Sequence, residues 1–487
     1  SEGRVREAAS EARLAAQSPP DDPSAVAAAA QCLIRIGEMT SANACLSRFD
    51  VLSRSLDGRQ LRSIARIYQL LGDNAMALEL MNRAQAQGYD NPDFRYFHAL
   101  QLQFSGQVEA ARQEMRECLK RKPTYGRAAL ALARLSKHDP DANRLAFIHK
   151  QAIEVRQGTE EHAALEFARF EELDTLDRRD DAFVALRRAN AIMHMRLAGE
   201  FRISKNLLDS LKRIVSSEFM AGPGASIDGP VPIFIVGMPR SGTTLLARML
   251  DNHPDVVSTG ERNDFPLQLR WSANVHGNQI LDTAFMDQLG SIDYEELGRR
   301  YLEQTQWRAA GKAFYVDKLP PNWMLAGLIR RALPRAPILH MARAPMDVCF
   351  SNYKVLFGNS YPFSYDLAEL AQYHHLYLDL MGYWHGLFPG RLQDVPYQQL
   401  VTDPERALQR VFAYCGLRAV PGCSEITRNK SPVATLSSPQ VREPVHARGL
   451  NQWRPYARHL APLVAALHVS DTDEPESQAT APDIQTA

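Results

Sequence analysis

The sequence predicts an α-helical domain followed by a parallel α/β domain, on three observations. Residues 1–220 read as helix almost throughout, rich in Ala, Leu, Arg and Glu, with Gly37, Gly72 and Gly106 spaced 35 and 34 residues apart. From Val231 onward, short apolar runs alternate with amphipathic helices, the pattern of a parallel sheet covered on both faces. Between the two lies AGPGASIDGP (221–230), a Gly/Pro-rich linker that breaks helices and marks a boundary. A chain of 487 residues has room for two or three domains.

In the helical region each spaced glycine is followed five residues later by Ala: Ala42, Ala77 and Ala111. Glycine permits the turn between two helices, and the small Ala lets them approach closely. Pro123 falls 17 residues after Gly106. This period and spacing resemble tetratricopeptide repeats, in which each helix pair leaves an apolar face for the next pair to cover. Further helices are expected over 141–216, including DDAFVALRRANAIMH.

Composition narrows the function classes. The 56 Lys+Arg balance 56 Asp+Glu, so net charge points to no nucleic acid partner. Six cysteines form no C-x-x-C pair and no His lies at ligand spacing, so no metal is expected. The cysteines sit mostly in apolar stretches, which suits reduced thiols and a cytoplasmic location. No apolar run approaches 18 residues, so no transmembrane segment is expected. No signal peptide is read, and the sequence starts without Met. The polar segment 469–487 reads as a disordered tail.

In the second region, strands are expected at 232–236, 256–259, 313–316, 336–341 and 391–395. Helices are expected at 244–252, 294–306, 322–332, 345–355, 366–388 and 404–415. The first strand opens IFIVGMPRSGTT (233–244): an apolar run, a tight turn, then a helix N-terminus. Backbone N–H groups of such a turn and the helix dipole bind a phosphate. The P-loop-like turn Arg240, Ser241, Gly242, Thr243, Thr244 has no lysine after Gly242, unlike a nucleoside-triphosphate loop. It suits a ligand with one 5′-phosphate and little need of a divalent ion. In APILHMARAPMDVCFSNYK, Arg343 ends a strand and Ser351 lies eight residues on, two helical turns along the same face. A guanidinium with a hydroxyl suits a second phosphate.

Together these two motifs resemble the 5′-phosphosulfate loop and the 3′-phosphate pair of the sulfotransferase family, whose co-substrate is 3′-phosphoadenylyl sulfate (PAPS). Two weaker strings agree. VPYQQLVTDPERALQRVFAYCGL (395–417) resembles a stretch near the donor site and implies a role there for Tyr397. SSPQVREPVHARGLNQWRPY (437–456) resembles the lid over the nucleotide and implies contacts from Ser437, Gln440, Val441 and Arg442. Gln452 stands where the family often has a basic residue, leaving Arg448 or Arg454 to supply that contact.

Within the superfamily the chain looks like tyrosylprotein sulfotransferases and like bacterial proteins that fuse tetratricopeptide repeats to the same domain. That resemblance implies boundaries of 1–220, 221–230, 231–468 and 469–487 for repeats, linker, sulfotransferase domain and tail. It implies Glu261 as general base, Lys318 as stabiliser of the leaving oxygen, and Ser437 assisting. Asp317 is a rival base. The tyrosine enzymes carry an Arg two positions after the base; here Asn263 stands there and Arg262 is adjacent to Glu261. The acceptor hydroxyl is left open between a protein tyrosine, a glycan and a small molecule. The repeats could recruit a protein or peptide acceptor, form a homodimer, or wall the acceptor pocket. The aromatic residues of QYHHLYLDLMGYWHG (372–386) either line that pocket or pack in the core. The alternative reading is a repeat scaffold with a non-catalytic nucleotide-binding domain; a kinase is disfavoured by the missing lysine.

Overall fold

The computed structural model describes residues 4–17, 22–49, 55–137, 139, 142–200, 202–277, 279–435 and 440–468. The expected tail, 469–487, and the expected site residue Ser437 lie outside the described residues.

The N-terminal region is built of antiparallel helix pairs. Pro23–Arg35 precedes Met39–Phe49, Gly58–Leu71 precedes Asn74–Ala86, and Pro92–Phe104 precedes Val108–Arg121. The spaced glycines make the turns, with φ of 83° at Gly37, 100° at Gly72 and 84° at Gly106. Side chains rarely adopt that left-handed region, which is why glycine recurs there. Ala42, Ala77 and Ala111 are each 0% exposed, at the contact between paired helices. Asp57, Asp73 and Asn91 cap their helices by accepting from backbone N–H groups. Longer helices follow at Glu160–Thr175 and Arg179–Arg196, then Lys205–Ile214.

The linker is packed rather than loose: Ala225 is buried and its N–H donates to the Ala332 carbonyl at 2.8 Å. Beyond it, five strands form one parallel sheet: β1 (Val231–Gly237), β2 (Val256–Ser258), β3 (Phe314–Lys318), β4 (Ile338–Ala342) and β5 (Gln393–Pro396). Their spatial order is β2-β3-β1-β4-β5, so the chain runs from β1 to the edge strand β2, returns to place β3 beside β1, and then crosses to the other side. In such sheets ligands bind at the carboxyl ends of the strands, beside this switch point.

All five expected strands form, with ends shifted by up to two residues. The expected helix 322–332 begins as a 3₁₀ segment, Pro320–Leu325, because the two prolines cannot donate to a helical ladder. The helix Asp264–Ala273 was not anticipated from the sequence. One hydrophobic cluster runs from Ala99 in the helical region through Leu211 and Val215 to Trp323, Trp384 and Leu467. The two regions therefore share a core, while the earliest helix pairs keep one of their own.

Candidate active site

Each strand delivers one expected residue or loop to the carboxyl edge of the sheet. β1 runs into Arg240–Thr244, β2 leads to Glu261, β3 ends on Lys318, β4 precedes Arg343 and β5 precedes Tyr397. A cavity of about 410 Å³ opens there. Arg240, Gly242, Thr243, Thr244, Glu261, Arg343, Ser351, Tyr397 and Val441 all line it. That volume lies within the range of nucleotide-sized ligand sites.

The turn after β1 is held in a strained form. Arg240 has φ 66° and Gly242 has φ 110°. A Cβ on Gly242 would sit 2.5 Å from the Tyr397 ring, so glycine is required by space as well as by conformation. Gly242 begins the helix Thr243–Leu250, which no side chain caps. The Ser241 hydroxyl is buried without a hydrogen-bond partner and does not line the cavity.

Two guanidiniums converge where the sequence leads one to expect a second phosphate. Arg240 Nε lies 3.4 Å from the Ser351 hydroxyl. Arg343 donates to the Arg240 carbonyl at 2.7 Å, donates to the Gly449 carbonyl, and lies 4.4 Å from the centre of the Tyr397 ring. The buried Nε of Arg343 has no partner. Burial, with repulsion from Arg343, lowers the Arg240 guanidinium to about 10. A cluster of desolvated positive charge is the environment that a bound phosphate dianion would relieve.

Lys318 does not line the cavity: it is 1% exposed and forms an ion pair with the 41% exposed Glu261, which does. Its Nζ is 3.4 Å from the Thr244 hydroxyl, which ties it to the turn after β1. Burial depresses the Lys318 ammonium, and Glu261 opposes that shift. Asp317, one residue earlier on β3, points to the opposite face because strand side chains alternate. There it accepts from Tyr301 OH at 2.7 Å and is 2% exposed. Glu261 touches the cavity and Asp317 does not.

Several expected contacts fall elsewhere. Arg442 does not reach the cavity; its guanidinium donates to the Phe104 carbonyl at 2.7 Å, because the 3₁₀ segment Gln440–Arg442 turns Val441 inward and Arg442 toward the helix pairs. Only the backbone of Gln440 is described. Arg262 faces away from the cavity and donates to carbonyls of Leu70 and Gln69 at 3.1 and 3.5 Å. Arg448 pairs with Glu443 and Arg454 lies over Trp453, so neither replaces the basic residue absent at Gln452. Tyr373, His374, Tyr377 and Trp384 of the aromatic helix are buried against Trp323, Phe363 and one another rather than lining the cavity.

Sequence reasoning missed Lys354, which donates to Gln452 Oε1 at 2.8 Å and is lowered to about 7 by burial and by Lys137. It also missed Leu356, Phe357 and Tyr361, which line the same cavity as Glu261. The available signal was position, since all four follow Ser351 within ten residues. The folded chain also brings His340, His385 and Asp394 together away from the cavity, their ligand-type atoms within 4.8 Å of one another. Asp394 there accepts from His340 at 2.7 Å and from His385 at 3.0 Å.

The α/β region is similar in sequence to known proteins. Residues 232–421 match the model of the sulfotransferase family. An uncharacterised protein of Aquifex aeolicus is 28% identical over 59% of this chain and 39% of its own length. Nodulation protein NoeE of Sinorhizobium fredii is 31% identical over 38% of this chain and 51% of its own. Protein-tyrosine sulfotransferase 2 of Gallus gallus is 25% identical over 48% of this chain and 68% of its own. The chain thus spans about half or less of the first two relatives. Among solved structures, the sulfotransferase domain of the Synechococcus PCC 7002 olefin synthase aligns at 20% identity over 48% of this chain and 90% of its own, with a TM-score of 0.33. Residues 232–421 are thus a sulfotransferase-family domain.

Proposed function

We propose that this sulfotransferase domain moves a sulfuryl group from PAPS to an acceptor hydroxyl, with Glu261 as the base. The observation that carries the reading is the arrival of four strand ends at one cavity, with Lys318 at the end of the fifth paired to the cavity residue Glu261. In this reading the turn Arg240–Thr244 holds the 5′-phosphosulfate through its backbone N–H groups and the helix dipole. Arg240, Arg343 and Ser351 hold the 3′-phosphate, and Tyr397, stacked on Arg343, fills the space between.

Sulfuryl transfer is an in-line displacement: the acceptor oxygen loses a proton as it bonds to sulfur, and the bridging phosphate oxygen gains charge. Glu261 takes the proton, and the buried Lys318 ammonium faces the developing charge. Their ion pair must open as the donor seats, with Lys318 turning to the bridging oxygen. The wall of Leu356, Phe357 and Tyr361 beside Glu261 favours an acceptor with an apolar or aromatic body. A tyrosine is one such acceptor, in keeping with the protein-tyrosine sulfotransferase relative. The helix pairs with glycine turns are read as tetratricopeptide-type repeats.

Calorimetry with adenosine 3′,5′-bisphosphate and AMP tests the donor. The bisphosphate is expected to bind at least about tenfold tighter, roughly 1.4 kcal/mol, and Arg343→Ala to abolish that preference. Equal affinities in the wild type would sink the donor assignment.

A further inference from the structure

The three glycine turns of the helix pairs share a second property: each seats a side chain from the α/β domain. Gln268 donates to the Gly37 carbonyl at 2.6 Å. Arg262 donates to Leu70 and Gln69 at the end of the helix that Gly72 closes. Arg442 donates to the Phe104 carbonyl, two residues before Gly106. The seats leave no room for a side chain. A Cβ would lie 2.8 Å from Gln268 at Gly37, 2.3 Å from Arg262 at Gly72, and 2.7 Å from Arg442 at Gly106. The two arginines meet helix C-termini, where unpaired carbonyls and the dipole favour a cation.

The seated residues are not scattered over the domain. Arg262 adjoins Glu261, and its Nε also donates to the Thr259 carbonyl at 2.8 Å, which pins the base loop from within. Thr259 is itself fastened to the middle of β3 by its hydroxyl, at 2.8 Å from the Val316 carbonyl. Arg442 adjoins Val441, which lines the cavity, and leads into the segment that carries Gly449 to Arg343. The Phe104 carbonyl also accepts from the Val433 N–H at 3.0 Å, anchoring the chain just before that segment.

We propose that the helix pairs act as a brace on the catalytic machinery: the Gly72 seat positions the base loop through Arg262, and the Gly106 seat positions the 440–449 segment through Arg442. Both are positioning residues, and neither touches the reacting atoms. The glycine period in this chain therefore serves the active site as well as the helix turns. The proposal rests on the donor and base reading given above.

Because the two seats act on different parts of the reaction, their loss is separable. Arg262→Ala is expected to lower kcat about tenfold or more with donor KM little changed, since small misplacements of a base are costly. Arg442→Ala is expected to raise donor KM and the bisphosphate Kd about tenfold with kcat at saturating donor near wild type. Lysine at either position, which retains a donor, should restore part of the loss. Independently of any variant, adding adenosine 3′,5′-bisphosphate to the intact protein should slow amide exchange around residues 102–106. Failure of the wild type to bind the bisphosphate would refute the donor reading and this proposal with it. Binding without slowed exchange, or equal changes in kcat and KM in both variants, would refute the brace alone.

Discussion

Replacing Asp317 with Asn is expected to flatten the pH dependence of stability while leaving turnover near wild type. The Asp317 carboxyl is sealed behind β3, and burial raises it from 3.8 to about 7, with Asp264 pushing the same way. The Tyr301 hydrogen bond, Arg308 and Arg262 oppose that rise without cancelling it. The sign follows from proton counting. Below the unfolded value both states hold the proton, and the group contributes no pH dependence. From there to about 7 the unfolded chain ionises while the folded one keeps its proton, so stability falls as pH rises. At about 1.4 kcal/mol per pH unit, the loss from pH 5 to pH 8 is about 3 kcal/mol. Asparagine keeps the shape and still accepts from Tyr301, but does not titrate. Urea midpoints at the two pH values, taken for both proteins, isolate this contribution from all others. Parallel pH profiles would show that the folded carboxyl titrates normally and refute the reasoning. A hundredfold fall in kcat would instead move the base from Glu261 to Asp317.

Two further outcomes test the site directly. Glu261→Ala and Lys318→Ala are each expected to lower kcat by about 10²-fold, read as labelled sulfate transfer at saturating donor; turnover near wild type in either would remove that residue from the chemistry. Gly242→Ala forces a left-handed side chain against Tyr397, and is expected to cost about 1–3 kcal/mol of stability and most bisphosphate binding, measured by thermal shift and calorimetry.

The central strands were legible because they are buried on both faces and therefore read as apolar runs, as in Ile233–Val236. Arg343 was legible because strand ends in an open α/β sheet point at the ligand crevice, whereas Lys318 followed only from the family resemblance. The missed features depend on tertiary reach. Nothing periodic marks the loop 354–362, so Leu356, Phe357 and Tyr361 become cavity residues only once the helix Pro345–Tyr353 sets their direction. Arg442 was read toward the nucleotide because a local pattern fixes neither the turn of a short 3₁₀ segment nor the helix pair waiting on its other side. The helix Asp264–Ala273 was hidden by Pro266, which is tolerated in a first turn but reads in sequence as a breaker.

The core shared by the two regions sets a problem of timing. Leu207, Leu208, Leu211 and Val215 are buried in a cluster whose last member is Leu467. A ribosome adding about 5–20 residues per second needs tens of seconds to travel from one to the other. For that interval the finished helix pairs present an apolar flank with nothing to cover it. The nascent chain is thus a natural client for a holding chaperone, and the helical half cannot be exchanged between proteins as a free-standing cassette.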